Sequence, residues 1–217
     1  MDPQTEKLLA DISREIGVPC GQHHIDTFSK YLLILKRWSR AYSLTSLSRD
    51  EDIVIKHFID SLLYVKLLPP DAELLLDVGS GAGFPGVPIK IVRPSLKVYL
   101  LEPSRKKATF LKNLIFDLSL RDVEIVQGRI EDYPCGKPDA PRAFDVIVTR
   151  ALFGIDEFRR KVTRLCHEGT VLILSRGPSQ RQEVKELENL GCTAISVRLA
   201  SHNIERYLVA AKSQTLR

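Results

Sequence analysis

Beyond residue 70, short apolar runs alternate with amphipathic segments, and no other feature of the sequence restricts the fold as strongly. The runs have the length of single strands and cover residues 74–78, 98–101, 123–126, 144–148 and 171–174. Helical periodicity fills most of the intervals between them. Near-continuous apolar strands that alternate with helices are typical of a parallel sheet covered on both faces. The sequence therefore predicts an α/β fold.

The last two apolar runs, residues 193–199 and 204–210, are separated by only four residues. Because so short a connection cannot cross over a sheet, these runs are predicted to form an antiparallel hairpin at its edge. Together with the five earlier runs, the prediction is a mostly parallel seven-stranded sheet with an antiparallel C-terminal hairpin.

The N-terminal part of the chain has helical periodicity throughout. Apolar and aromatic residues recur at three- and four-residue steps over residues 28–42. Ser48, followed three residues later by Glu51, has the pattern of a capping box, which predicts a helix from there to about Lys66. We therefore expect residues 1–70 to form an N-terminal helical cap.

Length and composition narrow the class of protein further. The 217 residues leave room for one large domain with a helical appendage, and their net charge of +5 permits a polyanionic partner without requiring one. No apolar run approaches the roughly 18–20 residues that span a bilayer, and the N-terminus lacks the pattern of a signal peptide. We therefore expect a cytoplasmic protein without membrane association.

The cysteines form no CxxC pair, which argues against a metal site or a disulfide framework; they are Cys20, Cys135, Cys166 and Cys192.

A glycine-rich segment directly follows the first apolar run, where residues 75–86 read LLDVGSGAGFPG. Glycines in such a turn let the backbone bend sharply and let a ligand approach without meeting a Cβ atom. In a doubly wound sheet this turn lies at the carboxyl end of the first strand, where ligands bind. The segment therefore predicts a cofactor site.

Two cofactors fit this turn. The spacing of Gly81, Gly83 and Gly86 matches the dinucleotide fingerprint, but its register relative to the end of the strand is poor. The spacing GxGxG counted from Gly79, with the acidic Asp77 before it, resembles the S-adenosylmethionine (SAM) site of Rossmann-like methyltransferases. A carboxylate that faces the sulfonium and ammonium groups of SAM is electrostatically favourable.

Glu102 ends the next predicted strand, where an acidic side chain is expected to accept hydrogen bonds from ribose hydroxyls. Since NAD and SAM both contain an adenosine ribose, Glu102 supports either cofactor. The rest of the chain favours SAM. A dehydrogenase normally needs a substrate domain of comparable size, for which no length remains, and a terminal strand hairpin is typical of the seven-stranded methyltransferase sheet.

Together these segments resemble the RsmG (GidB) family, the bacterial ribosomal RNA small-subunit methyltransferases G. The uninterrupted GSGAGFPG of residues 79–86 is far more specific than a bare GxGxG. The other matching segments are YSLT at 42–45, HFIDSL at 57–62, EPSRKK at 102–107, GRIE at 128–131, TRA at 149–151 and RG at 176–177. This chain departs from the family pattern at Ser43, where Asn is usual, and at Arg176, where Lys is usual.

The resemblance implies a class I SAM-dependent methyltransferase of Rossmann-like fold, with its SAM-binding domain over residues 71–217. It implies methylation of N7 of a guanine in the 530 loop of 16S rRNA, with 16S rRNA or the small ribosomal subunit as partner and S-adenosyl-L-homocysteine as product. We expect a monomer that needs no metal ion. The turn and the resemblance together assign the cofactor to Asp77, Gly79, Gly81, Gly83, Phe84, Glu102, Ile130, Glu131 and Arg150.

No general base is expected among the catalytic residues. Guanine N7 carries an in-plane lone pair and no proton, so it can attack a methyl group directly, and catalysis is mainly alignment. His57 and Asp60 lie at helical spacing on one face of the predicted helix and, with Arg150, are candidates for positioning. An ordinary hydrogen-bond cluster between helices explains the polar side chains on this helix face equally well.

Arg105, Lys106 and Lys107 occupy the first turn of a predicted helix, where the helix dipole disfavours each cation by roughly 0.3–1 kcal/mol. Cations placed there against this tendency suggest a phosphate partner, and with Arg176 they are the RNA-binding candidates. A solvated surface is the alternative for this cluster.

Two other functions of the protein also stay open: a non-catalytic RNA- or ribosome-binding protein, and an NAD(P)-dependent oxidoreductase.

Overall fold

A seven-stranded β-sheet forms the centre of the protein in a computed structural model that describes residues 1–134, 139–150, 154–199 and 204–212. Its spatial order is β3-β2-β1-β4-β5-β7-β6. The strands are β1 (Leu74–Val78), β2 (Lys97–Glu102), β3 (Val123–Gln127), β4 (Phe144–Arg150), β5 (Cys166–Arg176), β6 (Thr193–Leu199) and β7 (Ile204–Lys212).

The pairing of the strands confirms the predicted α/β sheet. The strands β1 to β5 run parallel, whereas β7 pairs antiparallel with both β5 and β6. The predicted four-residue connection of the hairpin, 200–203, lies outside the described residues. Because β1 is flanked by β2 and β4, the direction of strand addition reverses at β1, and ligand crevices in open α/β sheets lie at the carboxyl ends of the strands at such a point.

Helices cover both faces of the sheet. They are α1 (Pro3–Glu15), α2 (Gln22–Tyr42), α3 (Asp50–Ile53), α4 (Asp60–Leu62), α5 (Gly86–Val92), α6 (Arg105–Asp117), α7 (Ile155–Val162) and α8 (Arg181–Asn189). The side chains of α1 to α6 pack on one face, and those of α7 and α8 pack on the other. Alternate residues of β1 supply the two cores, with Leu75 in the first and Leu76 and Val78 in the second.

The helical segment before β1 is irregular. Between α3 and α4 the chain forms a π-helical turn (Val54–Ile59), and after α4 it ends in a 3₁₀ segment (Leu63–Leu67). The predicted end near Lys66 is therefore confirmed, but the capping box is wrong. The helix begins at Asp50 after an Arg49 N-cap without a side-chain cap, and Glu51 forms an ion pair with Arg49 at 2.7 Å.

Two buried tyrosines join the N-terminal helices to the carboxyl edge of the sheet. Tyr31 of α2 donates its hydroxyl to the carbonyl of Ala82 at 2.5 Å, and Tyr64 donates to the carbonyl of Thr149 at 2.8 Å. The apolar side chains of these helices and of this sheet face form one continuous core cluster. The N-terminal helices are thus fixed to the glycine turn and to β4.

Candidate functional site

The glycine turn after β1 is held by the end of β2. The amide of Gly79 donates to the carbonyl of Leu101 at 2.8 Å, and the amide of Gly81 donates to Glu102 Oε2, also at 2.8 Å. The other carboxylate oxygen of Glu102 accepts from the amide of Ser104 at 2.9 Å. Glu102 therefore fixes both the turn and the start of α6 at the carboxyl edge of the sheet.

The glycines of the turn serve different purposes. Gly79, Gly81 and Gly83 all have φ between 59° and 96°, in the left-handed region. A Cβ atom on Gly81 would have only the carbonyl oxygen of Gly79 within 4 Å, at 3.8 Å, whereas a Cβ atom on Gly83 would lie 2.6 Å from Tyr31 Oη. The lack of a side chain on Gly83 thus allows α2 to approach the turn, and the predicted contact of Gly83 with the cofactor stays a prediction.

Asp77 lies beneath the turn. Its side chain is fully buried, and Oδ2 accepts from the amide of Gly86 at 2.9 Å. Burial raises the pKa of Asp77 to about 7. The carboxyl group thus supports the turn from the side of the sheet, and its contact with the cofactor stays a prediction.

Two cavities meet above the turn, and they share Gly79, Gly81 and Lys107. The first, which we name the sheet chamber, has a volume of about 400 Å³; its other lining residues are Val78, Leu101, Glu102, Pro103, Gly128, Arg129, Ile130 and Glu131. The second, the cap chamber, has a volume of about 360 Å³; its other lining residues are Ser43, Leu44, Thr45, Ser46, His57, Ser80, Ala82, Phe84 and Arg150. Each volume is in the range of small-molecule sites.

The sheet chamber combines an acidic strand end with apolar walls. Glu102 lies at one side, and the side chains of Leu101 and Ile130 are apolar and almost fully buried. Glu131 lines the rim but also forms an ion pair with Lys161 of α7. This chamber thus brings together the predicted Gly79, Gly81, Glu102, Ile130 and Glu131.

The imidazole of His57 is fully engaged within the cap chamber. Its Nε2 lies 2.8 Å from Thr45 Oγ1, and its Nδ1 lies 3.1 Å from the carbonyl of Lys56 and 3.3 Å from Arg150 Nη1. The ring stacks on Phe84 with centroids 4.6 Å apart. Burial, together with the charge of Arg150, lowers the pKa of His57 to about 4, so the ring is neutral at neutral pH.

Asp60 is paired beneath the cap chamber with two arginines. It is 5% exposed, its Oδ1 accepts from Arg206 Nε of β7 at 2.7 Å, and Oδ2 lies 3.7 Å from Arg150 Nη1. Burial raises the pKa of Asp60, while the two guanidinium groups oppose that shift. Arg150 in turn lies over Phe84, with Cζ 5.3 Å from the ring centroid. The three predicted positioning residues, His57, Asp60 and Arg150, thus belong to one cluster.

The predicted RNA-binding residues are not equivalent in the structure. Arg105 and Lys106 are exposed at the start of α6, whereas Lys107 lines both chambers. Arg176 is only 2% exposed, and its Nε donates to Glu183 at 3.2 Å. This guanidinium is thus enclosed at the end of β5 and paired with α8, and its role in RNA binding stays a prediction.

Several contacts of the site carried no recognisable signal in the sequence. Tyr31 has the spacing of a core residue, and nothing in the helical pattern indicates its bond to the turn. Arg206 lies on the last strand, far along the chain from its partner Asp60. Thr45 belongs to the matching segment YSLT, but nothing in that segment indicates that its side chain reaches His57.

The described part of the chain contains no cluster of three or more His, Cys, Asp or Glu side chains suited to hold a metal ion, and none of its helices is long and apolar enough to cross a bilayer. Cys192 is buried and Cys20 and Cys166 are partly buried, all three as free thiols. Cys135 lies outside the described residues.

Comparison with solved structures supports the fold. The chain superposes on a SAM-dependent methyltransferase from Aquifex aeolicus with a TM-score of 0.55 at 19% identity, covering 80% of this chain and 97% of that one. It superposes on the C-terminal domain of precorrin-6Y C5,15-methyltransferase from Rhodobacter capsulatus with a TM-score of 0.53 at 15% identity, covering 77% and 91%. At these identities the likeness establishes a class I methyltransferase fold alone.

Comparison of sequences is more specific. The chain is 36% identical over 185 residues to the ribosomal RNA small subunit methyltransferase G of Clostridium kluyveri, covering 84% of this chain and 77% of that protein. It is 38% identical over 186 residues to the protein of the same name from Syntrophus aciditrophicus, covering 85% and 76%. The family described as GidB, rRNA small subunit methyltransferase G, matches residues 24–207. The chain belongs to this family, as its glycine turn and flanking segments predicted.

Proposed function

We propose that the protein transfers a methyl group from SAM to N7 of a guanine in the 530 loop of 16S rRNA, as free RNA or within the small ribosomal subunit. The observation that carries the proposal is the two-chambered cleft at the carboxyl edge of the sheet. One chamber has the chemistry of an adenosine site, and the other has no free base among its described residues. Membership of the family supports the choice of substrate.

The residues of the sheet chamber fit SAM. Gly79 and Gly81 keep the floor of the cleft free of side chains, and an added Cβ atom on Gly81 would find no close protein neighbour. Glu102 offers carboxylate lone pairs to ribose hydroxyls, and Leu101 and Ile130 offer apolar surface to the adenine ring. When bound, SAM supplies a methyl group attached to a positively charged sulfur.

The engagement of His57 and Asp60 supports an acceptor that has no proton to lose. Both ring nitrogens of His57 have partners, and its pKa is lowered to about 4 by burial and by Arg150. The carboxylate of Asp60 is buried and paired with Arg206. Of the other described titratable groups that line the two chambers, Glu102 is bound by two amides, Glu131 is paired with Lys161, and the rest are cations. An exocyclic amine acceptor, in contrast, would need a base.

In the absence of a base, the chain contributes alignment. Arg150 is fixed from three sides by Asp60, His57 and Phe84, so its guanidinium has a defined place in the cap chamber. Holding the attacking atom in line with the methyl group and the sulfur can by itself supply a large part of the rate enhancement.

The proposal is tested by incubating the protein with labelled SAM and either free 16S rRNA or small ribosomal subunits, followed by nucleoside analysis. We expect the label in 7-methylguanosine from the 530 loop with at least one of the two substrates. Label in another nucleoside, or none with either substrate, would contradict the proposal.

Calorimetry with SAM and with NAD tests the cofactor, and binding of NAD without binding of SAM would favour the oxidoreductase alternative.

A further inference from the structure

The cap chamber is chemically different from the sheet chamber. Its outer wall is the segment that joins α2 to the helix beginning at Asp50, and this segment supplies the hydroxyl groups of Ser43, Thr45 and Ser46. Hydroxyl groups both donate and accept hydrogen bonds, so they can match the donor and acceptor edge of a nucleobase. The sheet chamber, in contrast, offers apolar walls and one carboxylate.

The wall of the cap chamber is tied to the base of the chamber. Thr45 Oγ1 accepts from the amide of Leu47 at 3.2 Å, so its hydroxyl shapes the segment internally, and its contact with His57 Nε2 at 2.8 Å fixes the segment to the π-helical turn. π-helical turns inside helices are frequent at functional sites. The wall is therefore built in advance of any ligand.

The opposite side of the cap chamber presents flat groups. The neutral ring of His57 is backed by Phe84, which is itself stacked on Tyr31 with centroids 5.3 Å apart. The guanidinium of Arg150 lies over the same phenylalanine. Aromatic rings and guanidinium planes are the surfaces on which bases splayed out of RNA stack, and arginine is also the usual donor to the O6 atom of guanine, next to N7.

On these grounds we infer that the cap chamber is the binding site of the methyl-accepting guanine, with Thr45, Ser46, His57 and Arg150 as the residues that receive it. The inference rests on the proposed function and deepens it. The base enters the cap chamber while SAM occupies the sheet chamber, and the shared floor of Gly79 and Gly81 is where the two meet. The N-terminal helices are thereby part of the substrate site as well as of the core.

Variants on the two sides of the cleft test this assignment. Ser46→Ala and Thr45→Val each remove one hydroxyl from the cap chamber, and we expect kcat/KM for RNA to fall roughly 5- to 30-fold, as for the loss of one hydrogen bond, with the Kd for SAM unchanged. Glu102→Ala, in the sheet chamber, should instead weaken SAM binding. Thr27→Val is the matched control, since Thr27 lies on α2 and its exposed hydroxyl donates to the carbonyl of His23 on the same helix. Melting curves establish that each variant is folded.

Crosslinking locates the base directly. An RNA substrate with 6-thioguanine at the methyl-accepting position is irradiated on the wild-type protein, and trypsin then releases the peptides 41–49, 57–66 and 143–150. We expect crosslinks in one or more of these peptides, which contain the chamber wall, His57 and Arg150. Crosslinks confined to other peptides, or unchanged kcat/KM for both hydroxyl variants, would overturn the inference while wild-type methylation of guanine N7 upheld the proposed function. If the proposed function itself is wrong, the wild-type protein will transfer no methyl group to the RNA.

Discussion

Ser43 ends α2 in a left-handed backbone conformation, with φ of 49° and ψ of 48°. A residue with a Cβ atom is strained there by roughly 1–2 kcal/mol, and asparagine tolerates the region better than most residues. We expect Ser43→Asn to raise Tm by about 1–4 °C. The control is Ser48→Asn, the same exchange at an exposed residue that lacks a positive φ. A Tm for Ser43→Asn below that of the control would contradict this explanation.

His57 makes stability depend on pH. Its pKa is lowered to about 4 in the folded protein, mainly by burial, from the ordinary 6.5 of the unfolded chain. Between these values the unfolded chain binds the extra proton, so this contribution to stability is complete above pH 6.5 and is lost as the pH falls towards 4. Asp77, whose pKa burial raises to about 7, acts in the opposite direction over much of the same range.

The His57→Gln variant separates these two effects. We expect its Tm to fall less than that of the wild type between pH 7 and pH 4.5, because the variant has lost the His57 contribution and kept that of Asp77. Melting curves at matched ionic strength measure both slopes. Parallel curves for the two proteins would show that His57 keeps its ordinary pKa in the fold.

At the scale of elements, the glycine turn and α2 are in close contact at Gly83. A Cβ atom there would lie 2.6 Å from Tyr31 Oη and 2.8 Å from Val87 Cγ2, whereas one on Gly81 meets nothing nearer than 3.8 Å. Both glycines have positive φ, 59° at Gly81 and 96° at Gly83, so each substitution also strains the backbone, more so at Gly83. We expect Gly83→Ala to destabilise the fold by roughly 1–3 kcal/mol more than Gly81→Ala, as measured by chemical denaturation. Equal losses of stability would contradict the packing role of Gly83.

The parallel strands and the terminal hairpin were predictable because a strand buried on both faces must be almost continuously apolar. The start of the helix before β1 could not be predicted correctly, since Ser48 and Glu51 have the residue types of a capping box whether or not they form one. In the folded protein Glu51 pairs with Arg49, and π-helical and 3₁₀ turns interrupt the segment. The spacing of Ser48 and Glu51 alone does not tell which partner Glu51 takes.

At the scale of the whole molecule, exposed cations lie beside the mouth of the cleft. Arg105 and Lys106 are exposed and line neither chamber. We expect the double variant Arg105→Glu with Lys106→Glu to bind RNA more weakly. The slope of log K against log salt concentration should become shallower by about 0.7–0.9 for each phosphate contact that is lost. SAM affinity should not change. The control is Arg181→Glu with Lys185→Glu, on α8 across the sheet. Equal salt slopes for the two double variants would show that the α6 cations are solvated surface.

The contacts of the candidate cleft could be predicted from the sequence only in part, because some of them depend on how the whole chain packs. Glu102 and the glycine turn are adjacent because parallel strands end at one edge, which the strand pattern implies. The pairing of Asp60 with Arg206 joins parts of the chain that are far apart in sequence, so nothing near either residue indicates it. Arg176 and Glu183 are only seven residues apart, but their contact depends on how α8 packs against the end of β5.

The most direct test of the account is the pH dependence of methyl transfer in a single turnover, with RNA and SAM both bound. Because guanine N7 has no proton to lose and His57 has no free nitrogen, we predict a rate that is nearly constant between about pH 6 and 8.5, in the wild type and in His57→Gln alike. A rate that rises with pH with a slope of one in the wild type, and loses that slope in His57→Gln, would identify His57 as a general base and contradict transfer to N7.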